Sequence, residues 1–149
     1  MRKILVYMML LLAVSAVASE VKWAKDFQSG MAEASKLNKP VLFISSRHTC
    51  KYCVILEETT LSDTKIVDKL NKEFVSIVSY SDEHDYMPRE LYRPGTPAIW
   101  FLLPDGRPMY QPIMGALDAQ NFYKALKVVE MTFKEYNEKQ AKKNKGKKI

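Results

Sequence analysis

The chain has 149 residues, 47% of them hydrophobic and 27% charged, which suits one globular domain with a substantial core. Its 23 basic and 17 acidic residues give a net charge of +6, but the basic excess lies at the two ends of the chain. Residues 20–138 carry 15 basic side chains against 17 acidic ones, and this slightly acidic body argues against a nucleic-acid-binding domain.

Residues 1–19 are predicted to be a secretory signal peptide. A basic start is followed by an almost unbroken apolar run from Ile4 to Val14, and Ala16 and Ala18 then have the spacing of a cleavage site. The run is shorter than the roughly 20 apolar residues of a membrane-spanning helix, so an uncleaved anchor is the less favoured alternative. We therefore expect an exported protein, soluble after cleavage and located in the bacterial periplasm, an oxidising compartment.

Three helices and one strand are predicted in the first half of the domain. Glu20–Asn38 should be helical because apolar residues recur on one face, namely Trp23, Phe27, Met31 and Ala34. Val41–Ile44 is a short apolar run typical of a strand that is covered on both faces. A second helix should run from Cys50 to about Thr60. A third should follow the capping pair Ser62-Asp63, with Ile66, Val67 and Leu70 on its inner side.

The second half predicts two further strands, a hairpin and a last helix. Phe74–Tyr80 and Ala98–Leu103 have strand composition, and a polar loop joins them. The turn Pro104-Asp105-Gly106-Arg107 leads to Pro108-Met109-Tyr110 as the start of a returning strand. Asp118 should cap a helix with one apolar face, formed by Phe122, Leu126, Val129, Phe133 and Tyr136.

The Lys-rich segment 139–149 is predicted to be a disordered, solvated tail. Weak attraction of this tail to an anionic membrane surface is a less favoured alternative.

Cys50 and Cys53 are the only cysteines, and their C-x-x-C spacing falls where the first predicted strand gives way to a helix. Such a junction is the sequence signature of a redox-active dithiol. The free N–H groups at the start of a helix lower the pKa of a thiol placed there, so Cys50 is the predicted nucleophile. Cys53, one turn further on, is the predicted buried partner that closes the disulfide.

Three neighbours of the dithiol are predicted to modify the site. His48 and Lys51 flank Cys50, and positive neighbours stabilise a thiolate, so both are candidates for lowering its pKa. Tyr52 should shape the rim and contact substrate, or else simply pack against the loop of residues 87–97.

Three stretches together resemble the thioredoxin superfamily, and more narrowly its exported thioredoxin-like proteins. They are Lys39–Phe43 running into the C-x-x-C, Leu61–Asp63 through Asn71–Val75, and Gly95-Thr96-Pro97-Ala98 followed by Phe101 and Pro104-Asp105-Gly106. This group includes the C-terminal domain of the transmembrane thiol:disulfide interchange protein. The resemblance implies a single α/β domain over residues 20–138, with a central mixed sheet flanked by helices. It also implies a cis bond between Thr96 and Pro97, and it makes Thr96 a backbone contact for a bound peptide.

Two positions depart from the pattern of the family. Thr49 stands where many members have a tryptophan, and Ile44 stands where many have a buried carboxylate that relays a proton to the second thiol. The proton acceptor for Cys53 therefore cannot be carried over. Glu57, Glu58 and water are the candidates.

The expected function is thiol:disulfide exchange, most simply reduction of disulfides in client proteins, with the dithiol itself as the only redox group and no bound metal or cofactor. The resemblance implies a membrane protein as electron donor.

If the same two cysteines react in the opposite direction and transfer their disulfide to clients, the protein is an oxidase or isomerase. A non-catalytic binding module or a copper chaperone remains an alternative from another class. A structural disulfide is disfavoured by the very short loop it would close, and a zinc site by the shortage of ligands.

Overall fold

A four-stranded sheet forms the centre of the domain in the computed structural model, which describes residues 20–146. The strands stand in the spatial order β2-β1-β3-β4; they are β1 (Val41–Ser46), β2 (Val75–Tyr80), β3 (Ala98–Leu102) and β4 (Ile113–Met114). β1 is parallel to β2 and antiparallel to β3, and β3 is antiparallel to β4. β1 and β3 are buried along their whole length, as expected for central strands covered on both faces.

Within residues 20–146, four helices and one short 3-10 turn surround the sheet. They are α1 (Phe27–Leu37), α2 (Lys51–Ile55, continued by a π-helical turn over Leu56–Thr60), α3 (Thr64–Glu73), the 3-10 turn Arg89–Leu91 and α4 (Ala119–Gly146). Three helices begin at an aspartate whose carboxylate accepts a hydrogen bond from a backbone N–H three residues on. These caps are Asp26, Asp63 and Asp118, so the caps predicted at Asp63 and Asp118 are confirmed.

Side chains of β1 alternate between two hydrophobic clusters, one on each face of the sheet. Leu42 and Ile44 face the cluster shared with α2, α3 and α4, whereas Val41 and Phe43 face the cluster shared with α1. The predicted architecture, one α/β domain with a mixed sheet between helices, is confirmed.

The first helix begins later than predicted. Residues 20–26 are not helical, and Trp23 forms a parallel bridge with Ser76 of β2, supported by a hydrogen bond from Ala24 N to Ser76 O at 2.8 Å. The prediction was wrong for residues 20–26 because Trp23 happens to share the helical spacing of Phe27 and Met31. Trp23 in fact packs partly buried against the cluster on the other face of the sheet.

The returning strand of the hairpin lies further along the chain than predicted. Pro108 makes only an isolated bridge with Leu102, and the paired strand is β4, opposite Ala98 and Ile99. Proline has no N–H to donate to a ladder, which explains why regular pairing does not start there.

The last helix continues to Gly146, so residues 139–146 are helical and not the disordered tail that was predicted. The predicted signal peptide, residues 1–19, and residues 147–149 lie outside the described part of the chain. Within residues 20–146, no helix is both long enough and apolar enough to cross a membrane.

Candidate active site

The two cysteines lie where β1 is followed by α2, as the sequence predicted. Cys50 is the N-cap residue of α2, in an extended backbone conformation, and its sulfur accepts a hydrogen bond from Cys53 N at 3.3 Å. Cys50 is partly exposed, whereas Cys53 is 1% exposed, and both are free thiols. One sulfur can therefore meet a substrate while the other is shielded behind it.

The pKa of Cys50 lies below its usual value. Burial acts to raise this pKa and is the largest single influence, but it is outweighed by hydrogen bonds from the Cys53 thiol, the Thr96 side chain and the backbone of Cys53 and Tyr52. These bonds favour the thiolate, which is the nucleophilic form of cysteine.

The pKa of Cys53 is shifted in the opposite direction. Burial raises it, and the hydrogen bond with Cys50 raises it further, although hydrogen bonds from Ser46 and Thr96 partly oppose the change. Cys53 therefore stays a thiol under conditions in which Cys50 ionises. Because a thiol must lose its proton to attack a disulfide, this residue needs a proton acceptor.

Thr96 and Pro97 lie against the dithiol. Their peptide bond is cis, as the resemblance implied, and the Cys50 thiol donates a hydrogen bond to the Thr96 carbonyl at 3.3 Å. Gly95 has φ +105°, a left-handed conformation that glycine adopts without strain, and it directs the chain into this turn. The structure thus brings the predicted peptide-binding residues beside the predicted nucleophile.

His48 contacts the polar loop after β2 and the last residue of that strand. Its Nε2 donates to Glu83 Oε1 at 2.7 Å, its backbone N donates to Asp82 Oδ2 at 2.9 Å, and its ring stacks on Tyr80 with centroids 4.0 Å apart. The hydrogen bond to Glu83 raises the pKa of His48. Much of the imidazolium charge is therefore balanced by carboxylates, and the strongest influences on the Cys50 pKa come from other groups.

Lys51 and Tyr52 lie on the outer side of α2 and are exposed, Tyr52 by 59%. Lys51 is not among the strongest influences on the Cys50 pKa. The roles predicted for these two side chains, thiolate stabilisation for Lys51 and substrate contact for Tyr52, stay predictions.

Sequence reasoning named Glu57 as a candidate proton acceptor but missed two polar side chains that contact it. Ile44 is buried in the core, and Ser46, two residues further along the same strand, donates a hydrogen bond from Oγ to Glu57 Oε1 at 3.2 Å. Tyr80 OH donates to the same carboxylate oxygen at 3.2 Å. The alternation of β1 could have revealed Ser46, since it continues the row of Leu42 and Ile44 towards α2. No sequence signal marked Tyr80.

A closed zinc site would need further ligands beyond the two thiols. Among the residues that the structure describes, no group of three or more His, Cys, Asp or Glu side chains is arranged to hold a metal ion.

Two curated proteins are similar in sequence to part of this chain. Among curated proteins, the chain is 27% identical over 82 residues to anterior gradient protein 2 of Xenopus laevis and 22% identical over 81 residues to anterior gradient protein 3 of Mus musculus. Each match covers 49% of this chain, and it covers 44% and 49% of the two relatives, so the chain spans about half the length of the curated relatives it matches.

Solved structures show the same architecture at low sequence identity. A thioredoxin from Thermus thermophilus superposes with a TM-score of 0.62 at 24% identity, covering 74% of this chain and 87% of that one. DsbH oxidoreductase gives 0.59 at 12% identity, covering 80% and 91%. The oxidised C-terminal domain of DsbD from Neisseria meningitidis gives 0.54 at 22% identity, covering 70% and 90%. The family model described as "Thioredoxin-like domain" matches residues 27–130, and the chain therefore belongs to the thioredoxin-like domain family.

Proposed function

We propose that this protein is a thiol:disulfide oxidoreductase that reduces disulfides of client proteins through Cys50 and Cys53. The observation that carries the proposal is the contrast between the two thiols. Cys50 is partly exposed with a lowered pKa, and Cys53 is buried with a raised pKa and lies one helical turn behind it. Two-step exchange requires this division between an attacking and a resolving thiol.

The reaction proceeds by two displacements. Cys50 thiolate attacks one sulfur of the client disulfide, so that a bond forms between Cys50 and the client and the second client sulfur leaves as a thiolate. Cys53, once deprotonated, attacks Cys50 Sγ, and the Cys50–Cys53 disulfide forms as the bond to the client breaks. The client gains two electrons and the dithiol loses two.

Client binding uses the surface beside the nucleophile. The backbone of Thr96 lies within hydrogen-bond distance of Cys50, and the exposed ring of Tyr52 on α2 offers an apolar contact for a peptide. Regeneration of the dithiol requires an external dithiol donor, for which a membrane electron-carrying protein fits the resemblance described above. The N-terminal sequence pattern supports the further proposal that the protein works after export, in an oxidising compartment.

The test is the reduction potential of the Cys50–Cys53 pair, measured against a series of glutathione buffers, together with turnover of a peptide disulfide with dithiothreitol as reductant. A reduction potential of about −270 mV with efficient turnover is expected of a reductase. A reduction potential of about −120 mV would contradict the reductase assignment and favour a disulfide donor.

Two cysteine variants serve as controls for that turnover assay. Cys50→Ser should abolish exchange, and Cys53→Ser should accumulate a mixed disulfide with the client on Cys50. If the wild-type protein bound Cu(I) tightly and showed negligible exchange, the oxidoreductase proposal would be wrong and a copper-binding role would replace it.

A further inference from the structure

The last helix, α4, has an exposed face that the proposed exchange reaction does not use. Its buried residues form one stripe along the helix, namely Phe122, Leu126, Val129 and Phe133. Because an α-helix turns by about 100° per residue, the face opposite this stripe is centred on Met131. Met131 is 63% exposed and Val128 beside it is 52% exposed, so this side of the helix faces solvent.

Five lysines share the exposed face with Met131, and together they form what we call the lysine face. They are Lys124, Lys127, Lys134, Lys142 and Lys145. All five are exposed, and each lies within about 60° of Met131 around the helix axis. Within residues 20–146, none of the five forms an ion pair with a carboxylate. At about 1.5 Å per residue, the row of lysines is about 32 Å long.

The lysine face carries a net positive charge that is not part of a generally basic surface. Glu135 and Glu138 lie in the same sector of the helix, so five lysines and two glutamates leave a net charge of +3. No acidic residue follows Glu138, and Lys139 and Lys143 border the sector. Because residues 20–138 as a whole are slightly acidic, the positive charge is concentrated along α4 and towards its end.

The direction of α4 separates its basic end from the dithiol. The helix follows β4, which pairs with the start of β3 directly after the cis bond that precedes Pro97. Further along α4, Asn137 accepts a hydrogen bond from Asn38 Nδ2 at 3.5 Å, and Asn38 lies three residues before β1 begins. Cys50 follows the other end of β1, so the basic extension leaves the domain at the end opposite the dithiol.

We propose that the lysine face binds the surface of a membrane that contains anionic phospholipid. A plane of phosphate groups matches a row of lysines on one side of a helix, because all the lysines can approach the plane at the same time. Each lysine near such a surface strengthens binding roughly five-fold. Val128 and Met131 lie in the middle of the row, and their exposed apolar surface adds contact at the level of the lipid headgroups.

This binding goes beyond the proposed exchange reaction and does not depend on it. Contact through the extension keeps the end of the domain that carries Cys50 away from the bound surface and open to clients. It also brings the protein to the membrane, where the electron donor proposed above is located.

The test is co-sedimentation of the full-length protein with vesicles of phosphatidylglycerol and phosphatidylcholine in equal parts, and with vesicles of phosphatidylcholine alone. We expect strong binding to the anionic vesicles at about 0.01 M salt. Binding should be lost at about 1 M salt, where the electrostatic screening length falls from about 30 Å to about 3 Å.

The apolar residues 4–14 are a separate source of vesicle binding, and phosphatidylcholine vesicles measure their contribution. The same measurements are made with a chain that begins at Glu20, which lacks this run and keeps every strand and both hydrophobic clusters. This chain is used once its unfolding temperature and thiol exchange rate match those of the full-length protein. Its binding should be confined to the anionic vesicles.

Two double variants test the two parts of the lysine face. Lys124→Gln/Lys127→Gln changes the part that lies on the domain. Lys142→Gln/Lys145→Gln changes the extension. Each double variant removes two lysines, so each should weaken binding to anionic vesicles at least about ten-fold.

The matched control is Lys25→Gln/Arg89→Gln, which removes two exposed basic side chains beside the hydrophobic cluster on the other face of the sheet. At about 0.1 M salt, charges further than about 10 Å from the membrane are largely screened, so the control should bind within about two-fold of wild type. All variants should keep the wild-type thiol exchange rate in solution, which shows that they are folded. If the wild-type protein shows no thiol exchange, the proposed function fails, whatever the result with vesicles.

Three results would overturn the membrane proposal. The first is no binding of the wild-type protein to anionic vesicles at low salt, which would leave the lysine face as a solvated surface. The second is weaker binding in Lys142→Gln/Lys145→Gln but not in Lys124→Gln/Lys127→Gln, because a disordered basic tail would behave in the same way. The third is capture of the protein by soluble polyglutamate but not by anionic vesicles, which would assign the face to an acidic protein.

Discussion

At the scale of single residues, two sulfur atoms separated by only two positions have opposite environments. Cys50 at the helix start accepts hydrogen bonds that lower its pKa, and Cys53 is buried and has a raised pKa. We expect iodoacetamide to modify Cys50 first. The rate of this modification should reach half its maximum at a pH below the pKa of a free cysteine, which is about 8.5. Cys53 should react only after denaturation. Mass spectrometry of the alkylated peptides measures the extent of modification at each cysteine. Early modification of Cys53 would contradict the assignment of Cys50 as the nucleophile.

The ion pair between His48 and Glu83 predicts a pH-dependent contribution to stability. Because the hydrogen bond to Glu83 raises the native pKa of His48, the stabilisation is fully present below the unfolded pKa of histidine, about 6.5, and is lost as pH rises through the native pKa. Glu83→Gln should therefore lower the unfolding temperature at about pH 5 and leave it unchanged at about pH 9.

The matched control for that experiment is Glu33→Gln, an exposed glutamate on α1. NMR titration of the His48 ring should show a lower pKa in Glu83→Gln than in wild type or the control. An unchanged His48 titration would show that another group, such as Asp82, dominates its environment.

At the scale of elements, sequence composition and periodicity predicted three of the four strands of the sheet and most helix positions. β1, β2 and β3 lie within one or two residues of their predicted bounds, and for β1 and β3 the signal was an apolar run, because burial on both faces demands such a run. The bridge between Trp23 and Ser76 could not be predicted, since the two residues are distant in the sequence. Ser46 and Tyr80 escaped for a similar reason, because only the assembled fold brings β1, α2 and β2 together at one oxygen atom of Glu57.

The packing of α1 on β2 depends on a glycine, and this predicts the effect of adding one methyl group. Alanine at position 30 would gain about 1 kcal/mol in helix propensity. However, its Cβ would lie 2.5 Å from Cγ1 and Cδ1 of Ile77 and 2.9 Å from the Cβ of Ala24. Overpacking of this kind costs about 1–3 kcal/mol, and because Ile77 is fully buried the clash should win.

Urea denaturation should show Gly30→Ala to be less stable than wild type by up to about 2 kcal/mol, the overpacking cost less the gain in helix propensity. Ser35→Ala, at an exposed position of the same helix, should be neutral or slightly stabilising because of helix propensity alone. A stabilised Gly30→Ala variant would mean that Ile77 can move aside at little cost.

At the scale of the whole molecule, the long helix α4 has a part that belongs to the domain and a part that extends beyond it. Its buried residues end at Phe133, and residues 141–146 are all exposed. Residues 139–146 are basic, contain no acid and bury no side chain. Disorder was predicted for this segment because its composition indicates that it is solvated. Composition does not determine whether a solvated end continues the preceding helix.

Removal of residues 139–149 should therefore leave the unfolding temperature and the thiol exchange rate unchanged, because the described part of this segment, residues 139–146, contains no buried side chain and no residue of the site. In contrast, Phe133→Ala, which removes a side chain only 8% exposed at the end of the buried face, should cost about 3 kcal/mol. Thermal unfolding of the two variants and a single-turnover exchange assay provide the comparison. If the truncated protein exchanged disulfides normally but unfolded at a clearly lower temperature, the basic extension would have to contact the domain, and α4 would be one structural unit up to its end.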